Sequence, residues 1–145
     1  MKTIVRSATV PYNAKQMFDL VNDIEQYPLF LPWCAQATIQ SSSVNHMYGT
    51  LKISKGLWSH VFTTYNKLDD GKRIQLNLVD GPFKHLEGVW EFQPTNNEGS
   101  RVTFKLQFEF KQALLNLTVG NMIQPIAGTL VEEFTKRAHR IYGRS

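Results

Sequence analysis

The strand-then-helix run that ends this chain, from Gly99 to Ser145, most constrains what it can fold into. Residues 101–110 read R-V-T-F-K-L-Q-F-E-F. Phe104, Leu106, Phe108 and Phe110 fall on one face, and Thr103, Lys105, Gln107 and Glu109 on the other. A period of two is that of a strand with one buried face and one wet face. Leu115, Val119, Met122, Ile126, Leu130, Phe134 and Ile141 then recur at helical spacing. A sheet with one apolar face needs a cover, and a long amphipathic helix supplies it. The pair predicts a curved antiparallel sheet gripping one long C-terminal helix, an arrangement that can leave a cavity between them.

The upstream sequence agrees. T-I-V-R-S-A-T-V reads as a first strand, closed by Pro11. Asn13 is a candidate N-cap for a short helix whose apolar side is Met17, Phe18, Leu20, Val21 and Ile24. Pro28 and Pro32 then restrict Y-P-L-F-L-P-W-C to a short helical turn. From Ala35 onward, strands alternate with tight turns, D-D-G-K being the strongest hairpin signal. The expected order is one strand, two short helices, six strands and a long helix. That is an α+β fold built on about seven antiparallel strands, read as one domain over residues 1–145.

The terminal helix carries Gly120, Pro125 and Gly128 in its interior. Each glycine costs about 1 kcal/mol against alanine, and the proline removes a backbone donor. Two readings are open: close packing of a kinked helix on the sheet, or a lid that bends to admit a ligand.

Three stretches carry a resemblance. They are V-P-Y-N-A-K-Q-M-F-D-L-V-N-D-I-E-Q-Y-P-L-F-L-P-W-C near the start, N-L-V-D-G-P-F-K-H-L-E-G-V-W-E-F in the middle, and F-E-F-K with E-E-F-T-K-R-A near the end. Together they resemble the coenzyme Q-binding branch of the START-like (Bet v 1, polyketide cyclase) superfamily, which includes bacterial ribosome association toxins. The resemblance spans nearly the whole chain and implies the helix-grip fold. It implies a hydrophobic tunnel for a quinone or another isoprenoid, and a role supporting respiration. For the toxin-like members it implies binding to the large ribosomal subunit and a block on subunit joining. Other members are described as oligoketide cyclases or lipid transport proteins.

Nothing in the residues makes a positive case for an enzyme. His46, His60, His85 and His139 lack metal-ligand spacing, and no nucleophile elbow or phosphate loop occurs. Cys34 reads as a small buried residue and Asp80 as a turn residue. A cyclase that moulds a reactive polyketide with few polar groups stays open as a third possibility.

The inward candidates for a ligand cavity are Phe30, Leu31, Trp33, Leu76, Leu78, Phe83, Trp90, Phe104, Leu106, Phe108, Met122, Ile126 and Leu130. The same residues could fill a solid core. A ubiquinone-type tail would be held by burial at about 0.8 kcal/mol per CH₂. Tyr27, Lys84 and His85 are candidates for polar contacts at the mouth. No obligatory cofactor, metal or DNA partner is expected.

The net charge of +4 is mildly basic. Lys136, Arg137, Arg140 and Arg144 cluster at the chain's end. They suit a helix C-terminus, or a contact with the phosphates of ribosomal RNA or lipid heads. A single cysteine and the absence of a long apolar run predict a cytoplasmic protein, with peripheral contact at the inner face of a membrane as an option.

Overall fold

Residues 1–143 are described by a computed structural model. The strands are β1 (Lys2–Val10), β2 (Cys34–Ser42), β3 (His46–Lys55), β4 (Trp58–Asp69), β5 (Arg73–Asp80), β6 (Phe83–Pro94) and β7 (Ser100–Phe110). They form one antiparallel sheet in the order β1-β7-β6-β5-β4-β3-β2. Between β1 and β2 the chain crosses from one sheet edge to the other through α1 (Ala14–Asn22) and a 3-10 turn, Ile24–Leu29. Five hairpin steps then bring β7 back against β1.

Local chemistry places these elements. Asn13 Oδ1 accepts from the Gln16 backbone N–H at 2.8 Å, and Gln16 Oε1 accepts from the Asn13 N–H at 2.9 Å, a reciprocal cap that starts α1. Pro28 lies inside the 3-10 turn. The Leu31 N–H then bonds to the Tyr27 carbonyl, and the Ser54 N–H to the Trp33 carbonyl, tying the exit loop to β3. Along β7 the alternation is complete, with Val102, Phe104, Leu106, Phe108 and Phe110 all buried.

The expected single terminal helix is three segments: α2 (Ala113–Leu117), α3 (Val119–Gly128) and α4 (Leu130–Tyr142). The breaks fall at Thr118 and Thr129, and the helix continues through Pro125. At each break the threonine hydroxyl donates to a carbonyl of the preceding turn, Leu114 O at 3.0 Å and Ile126 O at 2.8 Å. Such back-bonding competes with regular helix geometry. Val119, Ile123, Ala127, Val131, Phe134 and Ala138 are buried, whereas Ile141 is exposed.

Gly120 and Gly128 of α3 face the long side chains of Lys2 and Arg6 on β1. A Cβ on Gly120 would stand 2.8 Å from Lys2 Cε, and one on Gly128 would stand 3.2 Å from Arg6 Nη2. The far end of α4 is tied down as well. Tyr12 and His139 are hydrogen-bonded through the hydroxyl and Nδ1 at 2.5 Å, and the Tyr142 hydroxyl donates to Gln16 O at 3.1 Å.

The densest part of the core is aromatic. Trp90 stacks on Phe104 with centroids 4.3 Å apart. Phe134 of α4 meets Tyr27, Phe30 and Trp90 edge-on at 5.3–5.4 Å. Edge-to-face contacts add to the gain from area burial. Two ionisable groups share this interior. Burial pushes the Cys34 thiol up from 9.0 to about 11, and pushes the Tyr27 hydroxyl above its ordinary 10.0.

Phe134→Ala should cost about 3–5 kcal/mol, read as a lower urea midpoint at unchanged slope. Both raised groups hold their protons longer folded than unfolded. The Cys34 contribution to stability is therefore full below about pH 9 and lost as pH rises through 11, while that of Tyr27 only begins to fall above pH 10. Melting temperature should fall across that window, and Cys34→Ala should flatten the fall.

Candidate functional site

Between the concave sheet face and α3–α4 lies a cavity of about 130 Å³. One water needs roughly 10–15 Å³ of such space, so this is a void rather than a packing defect. Its floor is Leu51 and Ile53 of β3, Phe62 of β4, Ile74 and Leu76 of β5, Leu86 and Trp90 of β6, and Phe104, Leu106 and Phe108 of β7. Ile123, Ile126, Ala127, Leu130 and Phe134 form its roof, and Val21, Ile24 and Tyr27 one wall. Such a lining favours apolar ligands.

Of the residues expected at a cavity, Trp33, Leu76, Phe83, Trp90, Phe104, Leu106, Phe108, Ile126 and Leu130 all line it. Phe30, Leu31, Leu78 and Met122 do not, Leu31 being fully buried elsewhere in the core. Phe30 lies on the outer side of the 3-10 turn, beneath the Arg137 guanidinium at 4.9 Å. Leu78 follows the point, after Asn77, where β5 stops pairing with β6. Met122 is rotated off the roof, and its neighbour Ile123 takes the inward place.

The mouth candidates divide in the same way. Tyr27 lines the cavity, but its hydroxyl is already spent as a donor to Val21 O. Lys84 and His85 stand off the cavity because β6 is irregular between Phe83 and His85. That bulge lets Phe83 and Leu86 both turn inward, three residues apart, and turns the two polar side chains away. Lys84 Nζ is 3.6 Å from Glu109, and His85 Nε2 is 3.3 Å from Glu87.

Two polar side chains inside the cavity escape a reading by residue type. Thr64 and Asn66 of β4 are 8% and 4% exposed, and Thr64 Oγ1 donates to Asn66 Oδ1 at 2.7 Å. The signal that finds them is register: Phe62, Thr64, Asn66 and Leu68 share one face, flanked by apolar residues. Asn22, at the end of α1, is the third.

Catalytic groups do not converge here. His46 is beside Tyr48 and Tyr65, His60 beside Trp58, and His139 beside Tyr12. The Cys34 thiol donates weakly to Gln36 O and is neutral at pH 7, so it is a poor nucleophile. Among the described residues no group of three or more His, Cys, Asp or Glu is placed to hold a metal.

Outside, Leu29, Phe30, Glu133, Lys136, Arg137 and Arg140 line a shallow depression. Lys136 is within 3.5–3.7 Å of Glu132 and Glu133, which dilutes the expected cationic patch. Arg140 is exposed, and Arg144 lies outside the described residues. Among the described residues no helix is long and apolar enough to cross a membrane.

Comparison with known proteins agrees with this geometry. The family model for polyketide cyclase / dehydrase and lipid transport matches residues 10–135. The chain is 44% identical over 142 residues to the ribosome association toxin RatA of Escherichia coli K12, covering 98% of this chain and 90% of that one. It is 27% identical over 142 residues to the mitochondrial coenzyme Q-binding protein COQ10 homolog B of Xenopus laevis, covering 95% of this chain and 58% of that one. Two solved structures share the fold at low identity. A Streptomyces aromatase/cyclase has a TM-score of 0.84 at 14% identity, covering 96% of this chain and 94% of that one. A START superfamily protein of Mycobacterium smegmatis has 0.77 at 19%, covering 96% and 98%. With its helix-grip architecture and near full-length match to RatA proteins, the chain belongs to the polyketide cyclase / dehydrase and lipid transport family.

Proposed function

We propose that this protein is a non-catalytic binding protein that holds a hydrophobic isoprenoid, ubiquinone or a close analogue, between its sheet and α3–α4, in support of respiration. The observation that carries the reading is the cavity itself, walled almost wholly by aliphatic and aromatic side chains. The Xenopus relative, whose name records coenzyme Q binding, supports the choice of ligand. No constellation of base, nucleophile and oxyanion donors accompanies the cavity, so binding is preferred to polyketide cyclisation.

Loading from a membrane fits the surface. Leu57 at the β3–β4 tip and Leu114 and Leu117 of α2 are exposed. Trp58 meets Phe110 edge-on, which brings that tip to the end of the sheet where α2 begins. Lys55 and Lys111 flank these leucines and suit anionic head groups. We place the protein in the cytoplasm, touching the membrane peripherally.

A second role is favoured by the 44% likeness to a named ribosome association toxin: binding to the large ribosomal subunit so that the subunits do not join. It would use the outside of α4, where Arg137 and Arg140 lie beside the exposed Leu29, leaving the interior free for a ligand.

Gently purified protein, extracted with organic solvent, should release a near-stoichiometric quinone or isoprenoid by mass spectrometry. Leu130→Arg, which puts a charge into the apolar roof, should abolish that release while circular dichroism stays native. Lipid-free wild-type protein with no saturable quinone binding would remove the carrier reading. For the second role, overexpression should shift joined ribosomes to free subunits in sucrose gradients, and Arg137→Glu with Arg140→Glu should relieve the shift. Gradients unchanged by the wild-type protein would sink it.

A further inference from the structure

We infer that Thr64 and Asn66 form a head-group seat inside the cavity, for a lipid whose head carries a carbonyl or ether oxygen. This inference rests on the carrier reading above and adds where and how the head is held.

Asn66 is 96% buried by the complement of its 4% exposure, and it lines the cavity. Its neighbours across the sheet are Met47 of β3 and Leu76 of β5, neither of which offers a hydrogen bond to an amide. Thr64, two residues earlier on the same face, faces Gly49 and Leu78. The Thr64 hydroxyl engages one end of the Asn66 amide. Whichever way that amide is turned, its other end has no protein partner among the described residues. With the hydroxyl donating to Oδ1, the free end is the NH₂ group, which carries two donors. That free end is not fully covered and opens on an apolar cavity, so a ligand acceptor there would complete its hydrogen bonding.

Asn22 is a further polar side chain of the lining, from the end of α1, and it is not part of the donor pair. Its Oδ1 is wholly covered and unpartnered among the described residues, and the residue lines the same cavity. It stands two residues before Ile24, whose Cδ1 would lie 2.5 Å from a Cβ on Gly49. Gly49 is the cross-strand partner of Thr64, so the end of α1 comes down onto the β3–β4 row that carries the seat. Thr64 and Asn66 thus form the β4 side of a cavity whose lining is otherwise mostly apolar. The head would be held there, rather than at an outer rim by Lys84 and His85, and the tail would lie along the roof of Ile126 and Leu130.

The test compares two probes by isothermal titration: ubiquinone-2, and the hydrocarbon of its two-isoprene tail without a head. The wild type should prefer the quinone. Asn66→Leu and Thr64→Val should each weaken quinone binding roughly tenfold, the scale of one lost hydrogen bond, and leave hydrocarbon binding unchanged. Lys84→Ala and His85→Ala should alter neither constant. Native circular dichroism and a melting temperature close to the wild type's for Asn66→Leu and Thr64→Val separate lost binding from lost folding. If quinone binds the wild type and both β4 variants equally well, the seat is wrong while the carrier reading stands. If the wild type binds neither probe, the carrier reading falls and takes the seat with it.

Discussion

The rest of this structure depends on the need to cover one apolar sheet face. Phe104, Leu106 and Phe108 of β7, with Leu86 and Trp90 of β6, project from the same side. Left in water, each large side chain would forfeit about 1.5–3 kcal/mol. Phe134 resolves most of this by reaching down from α4 to meet Trp90, while Tyr27 and Phe30 close on it from the 3-10 turn. The cover is held at both ends. α3 lies over β1, Gly120 beside the Lys2 side chain and Gly128 beside that of Arg6, and Tyr12 and Tyr142 fasten α4 to the start of α1.

A cover pinned in this way cannot collapse freely onto the middle of the sheet. The strands β3–β5 curve under the roof, with register shifts in β2–β3 and β4–β5 that increase bending. The side chains reaching in from β4 are Phe62, Thr64 and Asn66, of which two are small or polar. The cavity is thus the space between a rigid arch and a tethered helix pair. Its few polar atoms gain importance from a surrounding low dielectric, where an unmet hydrogen bond is felt most strongly.

Interior and surface are chemically separate in this molecule. The cavity is apolar with one polar corner, whereas the outside of α4 mixes Glu132, Glu133, Lys136, Arg137 and Arg140. A lipid ligand and a ribosomal contact would draw on different atoms. Arg137 and Phe134 nevertheless share a helix, and both touch Phe30, so the two faces are mechanically adjacent.

Much of the architecture was legible in the chain. Alternation in R-V-T-F-K-L-Q-F-E-F, the Asn13 cap and the D-D-G-K turn are local signals, and each element they imply is present. Short-range sterics and hydrogen bonding decide such features before any tertiary contact forms. Thr118 and Thr129, rather than Pro125, divide the terminal helix, through local back-bonding that apolar periodicity does not register. What only the tertiary structure decided lies where long-range packing overrides the local code. The bulge at Phe83–His85 swings Lys84 and His85 away from the interior, a shift that no count of alternating residues reveals. Asn66 looks like any exposed strand asparagine until β3, β5 and the end of α1 close around it. Burial belongs to the assembled sheet and its cover, not to one residue's neighbours in sequence. The sequence therefore determined the strands, the helices and their apolar faces, while tertiary packing determined which few polar atoms were sealed inside.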